Sequence, residues 1–178
     1  MSATNAAGLE PSQSKKLEER SAQAHEQEVI RALKEMYSCS PQENTFSVYT
    51  PNAVFKDPIG IAEGVGSIKA QFIGLTKLFP RADITKFRVL ANPPTVAKNT
   101  LLIDQDVAYF RDSKSASPTK SINSLLTLQL DDTHKITSHI EEWNHSKSTT
   151  GEDGFLGTLN EHRKKMTAKL TDTFVGKD

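Results

Sequence analysis

Val48-Tyr-Thr-Pro-Asn-Ala-Val-Phe-Lys-Asp-Pro-Ile-Gly60 and, three residues later, Gly64-Val-Gly-Ser-Ile-Lys-Ala-Gln-Phe72 form the stretch that decides the fold. The first run reads as a short strand from Asn52 that ends in a turn, because Asp before Pro followed by Gly halts extended pairing. Gly60, Gly64 and Gly66 mark a loop. Ser67 is then placed to cap a helix carrying Ile68, Phe72, Leu75 and Phe79, which Pro80 stops. Before this stretch, Val29, Ile30, Leu33, Met36 and Tyr37 lie on one helical stripe, which predicts a helix near 24–38 ending before Pro41. Between the two, Phe46, Val48 and Tyr49 predict a short helix or turn.

After Pro80 the period changes to two. Ile84–Leu90, Thr100–Arg111, Lys120–Leu130 and Ile136–Asn144 read as four strands, separated by Asn92-Pro-Pro, the polar turn Ser113–Pro118 and Asp131-Asp-Thr-His. Residues 145–154 are a polar loop. A last amphipathic helix carries Phe155, Leu159, Met166 and Leu170, with Thr158-x-x-Glu161 matching a capping box. Helices, then a meander, then one more helix predict an α+β domain. Three parts are expected: a disordered tail over 1–13, a domain over 14–145, and a loop with its helix over 146–178. The tail is assigned on composition, since it has almost no large apolar side chain to offset its ordering entropy.

Composition narrows the function. The chain has 178 residues, with 22 Lys+Arg against 22 Asp+Glu and no net charge. A nucleic-acid binder needs a basic stripe, so no nucleic-acid partner is expected. Mean hydropathy is −0.49 and no apolar run approaches the ~20 residues of a membrane span. The first residues lack the basic and apolar regions of a secretory signal, and one cysteine, Cys39, forms no internal disulfide. An intracellular, cytoplasmic setting is the expectation, with Cys39 as a small buried or half-buried hydrophobe.

The 48–72 stretch, with the order helix, Asp-Pro strand, helix, meander and final Trp-bearing strand, resembles the nuclear transport factor 2-like superfamily over about residues 24–145. That group includes SnoaL-like polyketide cyclases, scytalone dehydratase and ketosteroid isomerase. The resemblance implies a cone-shaped, curved antiparallel β-sheet wrapped around N-terminal helices, with an apolar pocket at one end and an additional C-terminal helix. It also implies pairing of two copies, a homodimer, through the convex face of the sheet.

By the same resemblance, Asp57 falls where ketosteroid isomerases keep their proton-shuttling aspartate. A carboxylate on a pocket wall can move a proton between neighbouring carbons when burial raises its pKa. Asp before Pro also caps turns without any chemistry. The isomerases' two carbonyl-polarising donors correspond here to Leu33 and Leu126, so steroid isomerisation by that route is not expected. Tyr37, one turn along the same helix face, replaces the first donor only if the helix register shifts. Strand alternation puts His139, Glu141 and Trp143 on one face and Ser138, Ile140 and Glu142 on the other. Asp57 and His139 together resemble the Asp/His pairs of the superfamily's dehydratases and cyclases, and an ordinary imidazole suits proton shuttling at neutral pH. The bland alternative is a histidine bonded to Glu141 or a backbone carbonyl, with Trp143 as core.

The residues therefore predict Asp57 and His139 as catalytic, and Tyr37, Leu33, Leu126, Glu141 and Trp143 as ligand-binding. The expected partner is a small apolar molecule, with isomerase, cyclase or dehydratase chemistry. The alternative is a non-catalytic dimerisation or docking module of the same fold. No metal and no cofactor are expected: His139 and His145 are too far apart on a straight strand, about 20 Å, and no Gly-rich phosphate loop is present. The basic run His162-Arg-Lys-Lys reads as a solvated helix face.

Overall fold

Apolar alternation and its interruptions account for the sheet. The computed structural model describes residues 3–148 and 154–175, with side chains as far as Met166. Strands β1 (Tyr49–Lys56), β2 (Ile61–Glu63), β3 (Arg81–Val89), β4 (Thr100–Phe110), β5 (Lys120–Leu130) and β6 (Ile136–Trp143) form one sheet in the order β2-β1-β6-β5-β4-β3. The sheet is mixed rather than wholly antiparallel: β1 runs parallel to β6, and every other neighbour is antiparallel. β1 and β6 lie far apart in the chain, so no hairpin forces them antiparallel. Register shifts in β1, β3 and β6 bend the sheet, as bulges do.

The expected Gly loop contains β2. Asp57 makes the turn that permits it, its Oδ1 accepting from the Ile59 and Gly60 amides at 3.0 and 3.1 Å. At Gly64 the backbone has φ +87°, a conformation that favours glycine, and helix α3 (Val65–Leu78) starts there, two residues before Ser67. β3 starts at Arg81, earlier than the apolar run, because its first residues pair with Tyr109 and Phe110.

On the concave face, α2 (Gln27–Tyr37) and α3 cover Phe55, Leu101, Ile103, Leu126 and Leu128 in one continuous core. Helix α4 (Gly154–Val175) packs on α3 and closes one end. The Thr158 hydroxyl bonds the Gly154 carbonyl inside the helix, so the expected capping box at Thr158 and Glu161 does not form.

The N-terminal stretch corrects a second expectation. Residues 3–20 lie across the opposite face, including the short helix α1 (Pro11–Ser14). Ala7 and Leu17 pack on Leu90, Leu102 and Leu125. Asn5 Nδ2 donates to Ser14 Oγ and to the His145 carbonyl, each at 3.0 Å, and Arg20 N donates to the Val89 carbonyl at 2.8 Å. Composition counts large apolar side chains; this segment is held instead by small ones and by satisfied polar groups. Residues 1 and 2 of the expected tail lie outside the described residues. Among the described residues, no helix is long and apolar enough to cross a membrane.

Candidate functional site

Strand alternation supplies the floor of the site. His139, Glu141 and Trp143 of β6 face the helices, while Glu142 faces away and accepts from the Ala6 amide at 2.8 Å. Glu141 is the centre. Tyr37 Oη donates to its Oε1 at 2.6 Å, and Trp143 Nε1 donates to its Oε2 at 2.8 Å, with Ser124 Oγ at 3.3 Å. Burial pushes the Glu141 carboxyl up to about 7, and the nearby charge of Asp57 adds to the rise against these hydrogen bonds and Arg163.

Tyr37 reaches Glu141 from the last turn of α2. Its phenol lies between Glu141 Oε1 and His139 Nε2, the latter 3.1 Å away. Burial drives the Tyr37 and Tyr49 phenols upward, so both keep their protons.

His139 is placed behind this floor rather than in it. It is fully buried among Phe55, Phe72, Tyr37 and Tyr49, with Tyr49 Oη 2.7 Å from Nδ1. Burial pushes the imidazole down to about 3, below the range of an ordinary imidazole. Leu33 and Leu126 are core side chains that do not line the cavity; each is fully covered by its neighbours.

Asp57 faces the cavity, and its partner is a cation. Arg163 of α4 makes a two-pronged ion pair with it, at 3.0 and 2.6 Å. β1–β6 pairing aligns Lys56 with Ile140, so the next residue, Asp57, comes beside Glu141. Two carboxylates and one guanidinium therefore share the cavity. The basic run divides: His162 Nε2 lies 2.9 Å from the Gly74 carbonyl and Arg163 reaches Asp57, whereas Lys164 and Lys165 are exposed. Arg163 follows Leu159 by four residues, so the stripe of Phe155, Leu159 and Met166 already carried the signal that it points inward.

These groups enclose a cavity of about 120 Å³. Tyr37, Phe55, Tyr109, Glu141 and Trp143 form one wall, Phe72, Gly74 and Leu75 of α3 another, and Phe155, Leu159, Arg163 and Met166 of α4 the roof. An apolar cavity of roughly 150 Å³ holds benzene, so this one is single-ring in scale. Among the described residues, no group of three His, Cys, Asp or Glu side chains is arranged to hold a metal ion.

No protein-family model matches the chain, and no curated protein matches it in sequence. Solved structures do match. A steroid delta-isomerase from Pseudomonas aeruginosa superposes with a TM-score of 0.56 at 11% identity, covering 86% of this chain and 96% of that one. A phenazine biosynthesis-related protein from the same organism gives 0.50 at 10% identity, covering 74% and 86%. A protein assigned as a SnoaL-like polyketide cyclase from Jannaschia sp. gives 0.50 at 12% identity, covering 68% and 89%. Architecture and neighbours together define an α+β cone, a curved sheet around helices with a cavity at one end. The fold is that of the nuclear transport factor 2-like superfamily.

Proposed function

We propose that the cavity binds a compact, mostly apolar molecule of about one ring and that Glu141 exchanges a proton with it. The observation that carries this reading is a carboxyl fixed by Tyr37 and Trp143 on an apolar cavity wall, with its pKa brought to about 7 by burial. A group half ionised near neutrality can act as base toward a carbon acid and as acid when it returns the proton to a neighbouring atom. Isomerase, cyclase and dehydratase chemistries all need that step. Leu33 and Leu126 supply no hydrogen bond to a developing oxyanion; Arg163 is the positive group placed to offset such charge. In this assignment Asp57 fixes the guanidinium and the turn, and His139 holds Tyr37. The paired Asp57–His139 mechanism is replaced by Glu141 with Tyr37, and Trp143 lines the binding surface.

The homodimer suggested by the resemblance and the cytoplasmic setting suggested by composition are further parts of this proposal. The docking-module alternative draws on the two leucines where isomerase donors would stand.

The test has two arms. Trp143 is the single tryptophan, so its fluorescence reports occupancy by a panel of single-ring ketones and alcohols. Proton exchange is followed by NMR as loss of α-hydrogen from a bound cyclic ketone in deuterated water. Saturable quenching is expected, with exchange reduced about 10²-fold or more in Glu141→Gln. Exchange that persists in Glu141→Gln, or no quenching by any member of the panel, overturns the reading.

A further inference from the structure

Starting at Glu141, four buried groups stand in a hydrogen-bonded row: Glu141 Oε1, Tyr37 Oη, His139 through both ring nitrogens, and Tyr49 Oη, at successive distances of 2.6, 3.1 and 2.7 Å. Counting protons gives each link a direction. With Glu141 ionised, Tyr37 donates to the carboxylate, which obliges His139 Nε2–H to donate to Tyr37 and leaves Nδ1 to accept from Tyr49. When Glu141 carries a proton, Oε2 is already occupied as an acceptor by Trp143 and Ser124, so the acid hydrogen sits on Oε1 and donates to Tyr37. Tyr37 then donates to His139 Nε2, Nδ1–H donates to Tyr49, and the Tyr49 hydroxyl turns away. It has somewhere to turn, since Met36 Sδ lies 3.6 Å from Tyr49 Oη. Both arrangements satisfy every donor in the row.

We propose that Glu141, Tyr37, His139 and Tyr49 form a reversible hydrogen-bond relay in which protonation of Glu141 switches the tautomer of His139 without charging it. One proton is added to the row: the Tyr49 hydrogen passes to Nδ1, the Nε2 hydrogen to Tyr37 and the Tyr37 hydrogen to Glu141 Oε1, and the added proton replaces the one Tyr49 gave up, so the imidazole keeps a single proton and both phenols end with theirs. His139 is a positioning residue here. It makes the buried surroundings equally complete for the acid and its carboxylate, which is what a group that both gives and takes a proton requires. The proposal deepens the reading of Glu141 as the proton-exchanging group and rests on it.

The groups that face Glu141 are Tyr37 from α2, Asp57 from the end of β1, Tyr109 from β4, Ser124 from β5, Trp143 from β6, and Arg163 with His162 from α4. Asp57 and Arg163 are paired with each other. The deep phenols do not ionise near neutrality, and burial keeps His139 uncharged.

Nitrogen-15 NMR of histidine-labelled full-length protein reads the tautomer directly, with no ligand present. The chain has five histidines, and His139 is assigned by the signals that vanish in His139→Gln. Between about pH 5 and about pH 9, the unprotonated nitrogen of His139 is expected to change from Nε2 to Nδ1 with a midpoint near 7. Tyr37→Phe, which keeps the ring and removes the link, is expected to abolish the change and leave one tautomer throughout. It also supplies the assignment if His139→Gln does not fold. A single tautomer across the range in the natural chain, an imidazolium appearing within it, or a switch that survives in Tyr37→Phe overturns the relay. Ligand quenching and proton exchange are measured separately, so a relay that fails beside a working Glu141 is distinguishable from failure of the binding reading itself.

Discussion

Glu141 and His139 stand two residues apart on one strand, and burial gives them opposing effects on stability. The folded state holds the Glu141 proton up to about pH 7, where the unfolded chain has released it near 4.5. Stability from this group therefore falls as pH rises from about 4.5 through about 7. His139 is depressed from 6.5 to about 3, so the unfolded chain takes its proton first and stability falls as pH drops from about 6.5 towards 3. Between about 4.5 and 6.5 the two slopes oppose, each limited to about 1.4 kcal/mol per pH unit. Glu141→Gln is expected to remove the loss above pH 6.5 and leave stability rising with pH up to that point. Urea midpoints measured across pH check this; an unchanged profile in Glu141→Gln rules it out.

At the scale of elements, the end of β1 and helix α4 meet at the cavity through an ion pair. Asp57 serves both sides of it, capping the β1–β2 turn and pairing with Arg163. The roles separate by substitution. Asp57→Asn keeps an oxygen for the turn amides and loses the charge, at a cost of about 1–3 kcal/mol for a charge-assisted bond. Asp57→Ala loses the turn as well and is expected to be less stable than Asp57→Asn. Arg163→Met keeps side-chain length and leaves the turn intact. Amide exchange over 154–166 is expected to quicken in Arg163→Met and Asp57→Asn, while β1 and β2 stay protected. Equal exchange in all three variants and the natural chain would show that α4 is held by Phe155, Leu159 and Met166 without the ion pair.

For the whole molecule, the decisive contact is the N-terminal segment on the outer face of the sheet. Ser14 Oγ, His145 and Asp104 form a hydrogen-bonded series at 2.7 and 2.9 Å, and all three are buried. Burial would raise the Asp104 carboxyl, but hydrogen bonds from His145, Asn123 and Lys86 hold it well below the usual range. The series resembles a hydrolytic triad in residue types only, since the Ser14 hydroxyl is fully covered and Asn5 donates to it. It fastens the segment. Deleting residues 1–20 uncovers Leu90, Leu102 and Leu125 and is expected to lower stability well beyond the ~0.5 kcal/mol of ordinary surface changes. An uncovered apolar patch favours association. Sedimentation velocity of the full and shortened chains, with their urea midpoints, checks both effects. A shortened chain of equal stability and unchanged sedimentation would mean that the segment contributes nothing to the fold.

Local pattern determined much of this protein. The stripe from Val29 to Tyr37, the Asp57-Pro58 turn and the alternation that turns His139, Glu141 and Trp143 to one face all follow from periodicity and turn chemistry, which need no distant partner. Pairing across the chain is a different matter. The parallel match of β1 with β6, the packing of Asn5 and Ser14, and the approach of Arg163 to Asp57 over 106 positions depend on surfaces that exist only once the sheet has curved. The chemistry divides in the same way. Sequence places an acid and an imidazole on one strand face; the dryness around them, which moves one carboxyl to about 7 and one imidazole to about 3, comes from helices and strands assembled elsewhere. Burial is a property of the assembled neighbours, and so the rise of the Glu141 carboxyl to about 7 belongs to tertiary structure.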